Sequence, residues 1–368
     1  MKKHGNSYLE YVYILWAATL IMAVVVTLIT PRTDLSRNYD MQIEASTLTQ
    51  IAFDAIKNKK IELGIPLSED DINETGLLGE SYTGITTTLG TLESKRTSLN
   101  PNFAALYIKM FDDAGLKRGD QVGVVFSGSF PGLNIAAMCA IEVYGLEPCV
   151  MSSIGSSSYG ANNTSFTYYD MHKYLLDQKI ISNKIDYLSF GGSYDIGFEF
   201  DEADKENIRS RVDEDTIFIY NDNYVENLKY RMEAFSSNIP KMKLLINVGG
   251  NLISMGKDEY SFIYSNGLIK PNYLTINSYT DMSKVGLIDR YLQLNMPVIH
   301  MLNLKSLANK YGIEYDPSPI PEIGVGEVYY EKNYSILIPV IALMLSVVLT
   351  IFCYSSNKKR KESIKYEK

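Results

Sequence analysis

Histidine and cysteine are scarce here, with three of each among 368 residues. Only His172 and His300 lie outside the terminal hydrophobic stretches and tails, and the chain has neither Cys-x-x-Cys nor His-Glu-x-x-His, so no dedicated metal site is expected. Cys353 falls in the C-terminal hydrophobic stretch. Cys139 and Cys149 stand in apolar surroundings and read as buried free thiols, with a bridge in an oxidising compartment as the alternative. The Walker A loop and the dinucleotide Gly-x-Gly-x-x-Gly turn are both missing, so no nucleotide cofactor is expected. The Gly-x-Ser-x-Gly nucleophile elbow is missing too, because Ser127 stands two before Ser129, where the elbow needs glycine. Basic excess is also absent: between the tails 27 basic side chains face 40 acidic ones, a balance of about −13. That excludes a nucleic-acid partner and disfavours a long groove for a polyanion.

What the chain does have is two apolar ends, 11–30 and 334–354, each free of charged side chains. At 1.5 Å per residue, about 20 residues cross a hydrocarbon core of about 30 Å. The expectation is therefore a cytoplasmic N-terminus at 1–10, a transmembrane helix at 11–30, an extracytoplasmic domain at 31–333, a second transmembrane helix at 334–354 and a basic cytoplasmic tail at 355–368. Lys2, Lys3 and the run Lys358, Lys359, Arg360, Lys361 put both termini inside by the positive-inside preference. A cleaved signal peptide is the alternative for the first span; its long apolar run and the lack of a small-x-small site before Pro31 favour retention.

Between the ends, Ile43, Leu48, Ile51, Ala55 and Ile56 recur at near-helical spacing and predict a helix leaving the membrane as a stalk. Asn100 as cap, Pro101 at the first helical position and Gly115 as stop predict a second helix. From 121 onward one pattern recurs, an apolar run followed by a Gly/Ser/Asn cluster, at 121–126, 148–151, 185–190 and 243–246. A fifth strand is read at 297–302. Helical stretches at 133–144, 168–178 and 222–235 lie between them. This is the rhythm of an α/β fold with a largely parallel sheet and crossover helices, in which ligands bind beyond the carboxyl ends of the strands.

The loops at those ends supply the candidate ligand-binding residues. Ser127, Ser129 and Asn134 belong to a strand-to-helix turn able to hold an anion on backbone N–H groups, with an ordinary capped turn as the bland alternative. The segment 152–163 carries five serines and two asparagines, among them Ser153, Ser156, Ser157, Ser158 and Asn162, whose hydroxyls and amides suit an amide or carboxylate ligand. Thr86 and Thr87 lie in a hydroxyl-rich turn beside Lys95 and Arg96, a local basic cluster in an acidic domain. No catalytic residue is assigned. Ser129, Asp195 and His300 follow the chain order of an α/β-hydrolase triad, but serines are so common here that the coincidence is cheap, and His300 in an apolar strand reads as a core histidine. His172 reads as a surface residue.

The segments 84–97, Asn100-Pro101-Asn102-Phe103-Ala104-Ala105-Leu106, 127–134 and 152–163, with the two terminal spans, resemble the bacterial poly-gamma-glutamate system protein family over nearly the whole chain. The resemblance implies a membrane-anchored accessory subunit of poly-γ-glutamate synthesis and export. Its partners would be the polymer or the membrane proteins that make and export it, and the family supplies no catalytic residues to carry over. The alternative is an extracytoplasmic serine-type hydrolase or transferase acting on the polymer.

Overall fold

The computed structural model describes residues 4–29, 31–257, 264–271 and 283–366. Lys2, Lys3 and Thr30, used above to orient and bound the first span, lie outside the described residues. The chain divides into two compact units, one formed by Arg37–Tyr329 and one by the two ends.

In the terminal unit, helix α1 (His4–Ile29) runs into β1 (Arg32–Leu35), and the chain returns through a strand at Tyr330–Asn333 into a helix at Leu337–Tyr366. The two strands pair antiparallel, Arg32 opposite Asn333 and Leu35 opposite Tyr330, so both helices leave the same end of the ribbon. They pack through small side chains, with Ala23, Thr27 and Ser346 buried. Among the described residues one helix, Leu337–Ser355, is long and apolar enough to cross a membrane. The expectation of two such helices is therefore met only in part: the apolar part of α1, Tyr13–Leu28, is shorter, and at 1.5 Å per residue falls short of a core of about 30 Å.

The other unit is α/β with a mostly parallel sheet. Its elements include α2 (Tyr39–Glu62), β2 (Thr86–Thr88), α3 (Leu92–Thr97), α4 (Phe103–Asp113), β3 (Gln121–Ser127), α5 (Pro131–Tyr144), β4 (Glu147–Ser153), β5 (Ser156–Ser157), α6 (Tyr168–Asp177), β6 (Tyr187–Ser189), α7 (Glu202–Ser210), β7 (Ile217–Ile219), α8 (Tyr224–Asn238), β8 (Met242–Val248), α9 (Leu252–Met255), β9 (Gly267–Ile269), a helix at Leu287–Gln293, β10 (Val298–Met301) and a helix at Leu304–Tyr311. The seven-stranded sheet has the order β7-β6-β4-β3-β8-β10-β9, parallel throughout except for the antiparallel edge strand β9. Alternate residues of each strand feed opposite faces. Val124, Leu244 and Ile246 pack under α2, α4, α5 and α6, whereas Val125 and Leu245 pack with Leu228, Phe235, Leu287 and Leu292.

Several elements differ from the sequence reading. The helix expected as a stalk is α2, and it packs against α4 and α5 with Ala45, Ala52, Phe53 and Ile56 buried. Of the residues whose spacing predicted it, Ile56 lies in this core stripe, Ile43, Leu48 and Ala55 pack partly buried against the core, and Ile51 is half exposed. Helix α4 starts at Phe103 rather than Pro101, because the Asn100 side chain accepts the Asn102 N–H at 2.9 Å and closes a turn before the helix. Helix α5 begins at Pro131, whose missing N–H costs nothing in a first turn, and ends at Gly145 in the left-handed region (φ 74°).

Candidate functional site

The chain enters the sheet at β3, steps outward through β4, β6 and β7, and returns on the other side of β3 through β8 and β10. Strand order thus reverses between β3 and β8, the position where open parallel sheets form a crevice at their carboxyl ends. A cavity of about 920 Å3 lies there. It is lined by Ser127 at the end of β3, Ser153 at the end of β4, Gly192 after β6, Gly250 and Asn251 after β8, and Leu302 after β10.

Of the candidate residues, Thr87, Lys95, Ser127, Ser129, Ser153 and Ser157 line this cavity together. Glycines let the loops that carry them approach so closely. A Cβ on Gly160 would fall 2.2 Å from Ser156 Oγ and 2.7 Å from the Ser129 carbonyl. The loops are laced by Gly128 N–H to Gly155 O at 3.1 Å and Ala161 N–H to Gly128 O at 2.8 Å. The Ser157 N–H donates to Ser129 Oγ at 3.0 Å. Asn251 Nδ2 donates to Ser153 Oγ at 3.1 Å.

Lys95 is the chemical centre. Its Nζ lies 2.6 Å from Ser157 Oγ, also reaches the Ser129 carbonyl, and stands 4.0 Å from the centroid of the Phe130 ring. Among the described residues no carboxylate pairs with it. Burial therefore dominates and pushes the ammonium down from 10.5 to about 7. A neutral amine has two N–H donors and one lone pair, so the donor side can serve the Ser129 carbonyl while the lone pair accepts the Ser157 hydroxyl proton. Lys60, also buried, makes the contrast: it donates to the carbonyls of Gly76 and Leu78 and does not line the cavity.

The remaining candidates build the walls. Thr86 Oγ1 and the Glu80 carbonyl accept from Asn162 Nδ2, at 3.0 and 2.8 Å. Ser156 Oγ donates to Gly128 O at 3.1 Å, the Ser158 N–H donates to Thr88 O at 3.0 Å, and Asn134 Nδ2 donates to Ser127 O at 2.8 Å. Lys95 and Arg96 do not form the basic cluster expected of them. Arg96 is held by Asp316 in a two-pronged pair at 2.7 and 2.6 Å, while Lys95 turns inward and loses its charge near neutrality.

The triad is not assembled either. His300 is buried, accepts from Asn247 Nδ2 at 3.0 Å, and is held down to about 4 by burial. Asp195 is buried in an ion pair with Arg231 at 2.6 Å and also accepts from Ser189 and Asn227. None of the three side chains hydrogen-bonds to another. His172 is not on the surface: its Nε2 contacts the Asn183 carbonyl at 2.8 Å and Tyr168 O–H meets Nδ1 at 3.3 Å, on the buried face of α6. Cys139 and Cys149 are free and buried, with both thiols pushed up to about 12 by burial.

Sequence reasoning missed Gly90, Phe130, Asn251, Tyr194 and Lys257, all of which line the cavity. Gly90 had a signal, as the glycine ending the hydroxyl-rich turn before Lys95. A Cβ there would meet Lys95 Cε at 2.9 Å, Ser158 O at 3.0 Å and Ser157 Oγ at 3.3 Å. Comparison with protein-family models, with curated proteins and with solved structures finds no match to this chain.

Proposed function

We propose that this chain is a membrane-associated serine acyl hydrolase or acyltransferase in which Ser157 is the nucleophile and Lys95 its general base. The observation that carries the reading is the 2.6 Å contact between Lys95 Nζ and Ser157 Oγ inside the strand-end cavity. A serine hydroxyl is a weak nucleophile until an adjacent base takes its proton, and lysine serves as that base when desolvation keeps it neutral. A base that titrates near 7 is matched to neutral pH. Ser157 Oγ attacks an ester or amide carbonyl as its proton passes to Lys95 Nζ. The tetrahedral intermediate collapses to acyl-Ser157, and the departing alcohol or amine takes that proton. Water or an amine then attacks the acyl group, giving its proton to neutral Lys95, which returns it to Ser157.

The resemblance to the poly-gamma-glutamate system family supports a place beside the machinery that makes or exports that polymer, with the polymer as substrate or acceptor. The ribbon that sends both terminal helices off at one end supports a hairpin with both termini on one side of the membrane, and the basic run Lys358, Lys359, Arg360, Lys361 favours the cytoplasmic side for them. A second reading, an accessory subunit that binds polymer without cutting it, is favoured by the hydroxyls and amides gathered at the strand ends. The full chain in detergent, treated with a fluorophosphonate probe, separates the two. Labelling of Ser157 that Lys95→Met abolishes supports the enzyme, whereas polymer binding with no labelled serine supports the accessory subunit.

A further inference from the structure

The cavity has a second chemical character beside its serines. Phe130, Tyr224 and Met255 are buried in its wall, each no more than 7 % exposed, and Leu252 and Leu302 extend the same surface. Leu89 stands 87 % exposed at the cavity, one residue before the Gly90 that abuts Ser157 and Lys95. The wall is fixed in place. Tyr224 O–H donates to Val285 O at 2.9 Å, the Met255 N–H donates to Asn251 O at 2.9 Å, and the Phe130 ring carries Lys95 Nζ on its face.

Charge within the cavity is distributed against an anionic guest at the dyad. Among the described residues the charged side chains that line it are Lys95, Glu199, Asp222 and Lys257. Lys95 must be neutral to act as base, Glu199 accepts from the Ser193 N–H at 3.0 Å, and Asp222 is exposed. Lys257 Nζ lies over the Tyr224 ring, 4.6 Å from its centroid. A carboxylate placed beside Ser157 would be desolvated against Lys95, the base that has to stay neutral, at heavy cost. An apolar group there gains from burial.

We propose that the acyl donor is an ester or amide of an uncharged aliphatic acid of medium chain length, whose tail lies along Phe130, Met255 and Leu302 while its carbonyl meets Ser157. The inference rests on the Ser157–Lys95 reading. An anionic acceptor, such as a carboxylate-bearing amine, would sit at the Lys257 side rather than in the acyl site.

The test uses the full chain in detergent and 4-nitrophenyl esters from acetate to octanoate. Burial of each added methylene predicts a rise of about threefold to fourfold in kcat/KM along the first members of the series. Met255→Trp, which fills the tail site, should lower the octanoate-to-acetate ratio at least about tenfold, and Met255→Ala should move the optimum to longer chains. Ser157-dependent turnover that is flat or falls along the series, or a ratio that ignores Met255, overturns the acyl-chain inference and leaves the dyad standing. Absence of any Ser157-dependent turnover overturns both.

Discussion

Lys95 on α3 and Ser157 on β5 stand 62 residues apart in sequence, one before the first strand of the main sheet and one after its second, and meet at 2.6 Å. Among the described residues the lysine has hydroxyl, carbonyl and aromatic neighbours but no paired acid, and that environment sets both its chemistry and its cost.

Activity should follow the titration of Lys95. Below about 7 the amine is protonated and cannot accept the Ser157 proton, so kcat/KM should rise through that pH and level off above it. Lys95→Arg keeps a cation that cannot deprotonate and should lose activity at all pH values. A rate–pH profile of wild type and variant checks both points, and a flat profile would remove Lys95 as the base.

The same burial makes Lys95 a stability liability. Unfolded, it keeps its ordinary 10.5; folded, about 7, so between those values the unfolded chain binds the extra proton and stability rises with pH. At and below pH 7 the cost is roughly 5 kcal/mol at 1.36 kcal/mol per unit. Lys95→Met should melt higher than wild type at pH 6, and the gap should shrink towards pH 10. Thermal melts at the two pH values decide it.

Gly90→Ala should cost activity through crowding. The new Cβ would press on Lys95 Cε at 2.9 Å and approach Ser157 Oγ at 3.3 Å, displacing the base from its serine. A drop in kcat of tenfold or more is expected with little change in melting temperature. Unchanged kcat would show that the dyad tolerates that displacement.

Asp195 and Arg231 form an ion pair that is 1 % exposed at both side chains and anchors a loop with Tyr194 and Asp195 in the left-handed region, at φ 57° and 64°. Removing one partner leaves a buried charge, so Arg231→Met should destabilise by about 3 to 5 kcal/mol. Arg231→Met with Asp195→Asn should recover part of that loss, which denaturant titration of the single and double variants measures.

Acid should weaken the fold through its buried histidines. His172 and His300 are held down to about 4 by burial, while unfolded they titrate near 6.5, so stability falls as pH drops from 6.5 towards 4. His172→Gln, which can still donate to the Asn183 carbonyl, should flatten that loss. Melts at pH 7 and pH 4.5 provide the comparison.

The sheet was legible because its strands are buried on both faces: 121–126 and 243–246 are mainly apolar after a polar first residue, run into Ser127-Gly128 and Asn247, and lie within β3 and β8. Strand β7, three residues with an exposed Ile217, offered too short a run to read. Half of the candidate residues line the cavity because strand-end loops converge wherever a parallel sheet reverses its order. Their roles were not legible. Lys95 and Arg96 are adjacent in sequence, yet one points into the core and the other to Asp316, and only tertiary packing separates them. His172 likewise lost its surface reading because Tyr168, one turn earlier, carries it into the core.

The most direct test is intact-mass spectrometry of the full chain after brief exposure to an activated ester, with peptide mapping of the adduct. The account predicts one acyl group on Ser157, absent in Ser157→Ala and lost in Lys95→Met. An adduct on Ser127, Ser129 or Ser153 that persists in Ser157→Ala, or no adduct on the wild-type chain, would contradict it.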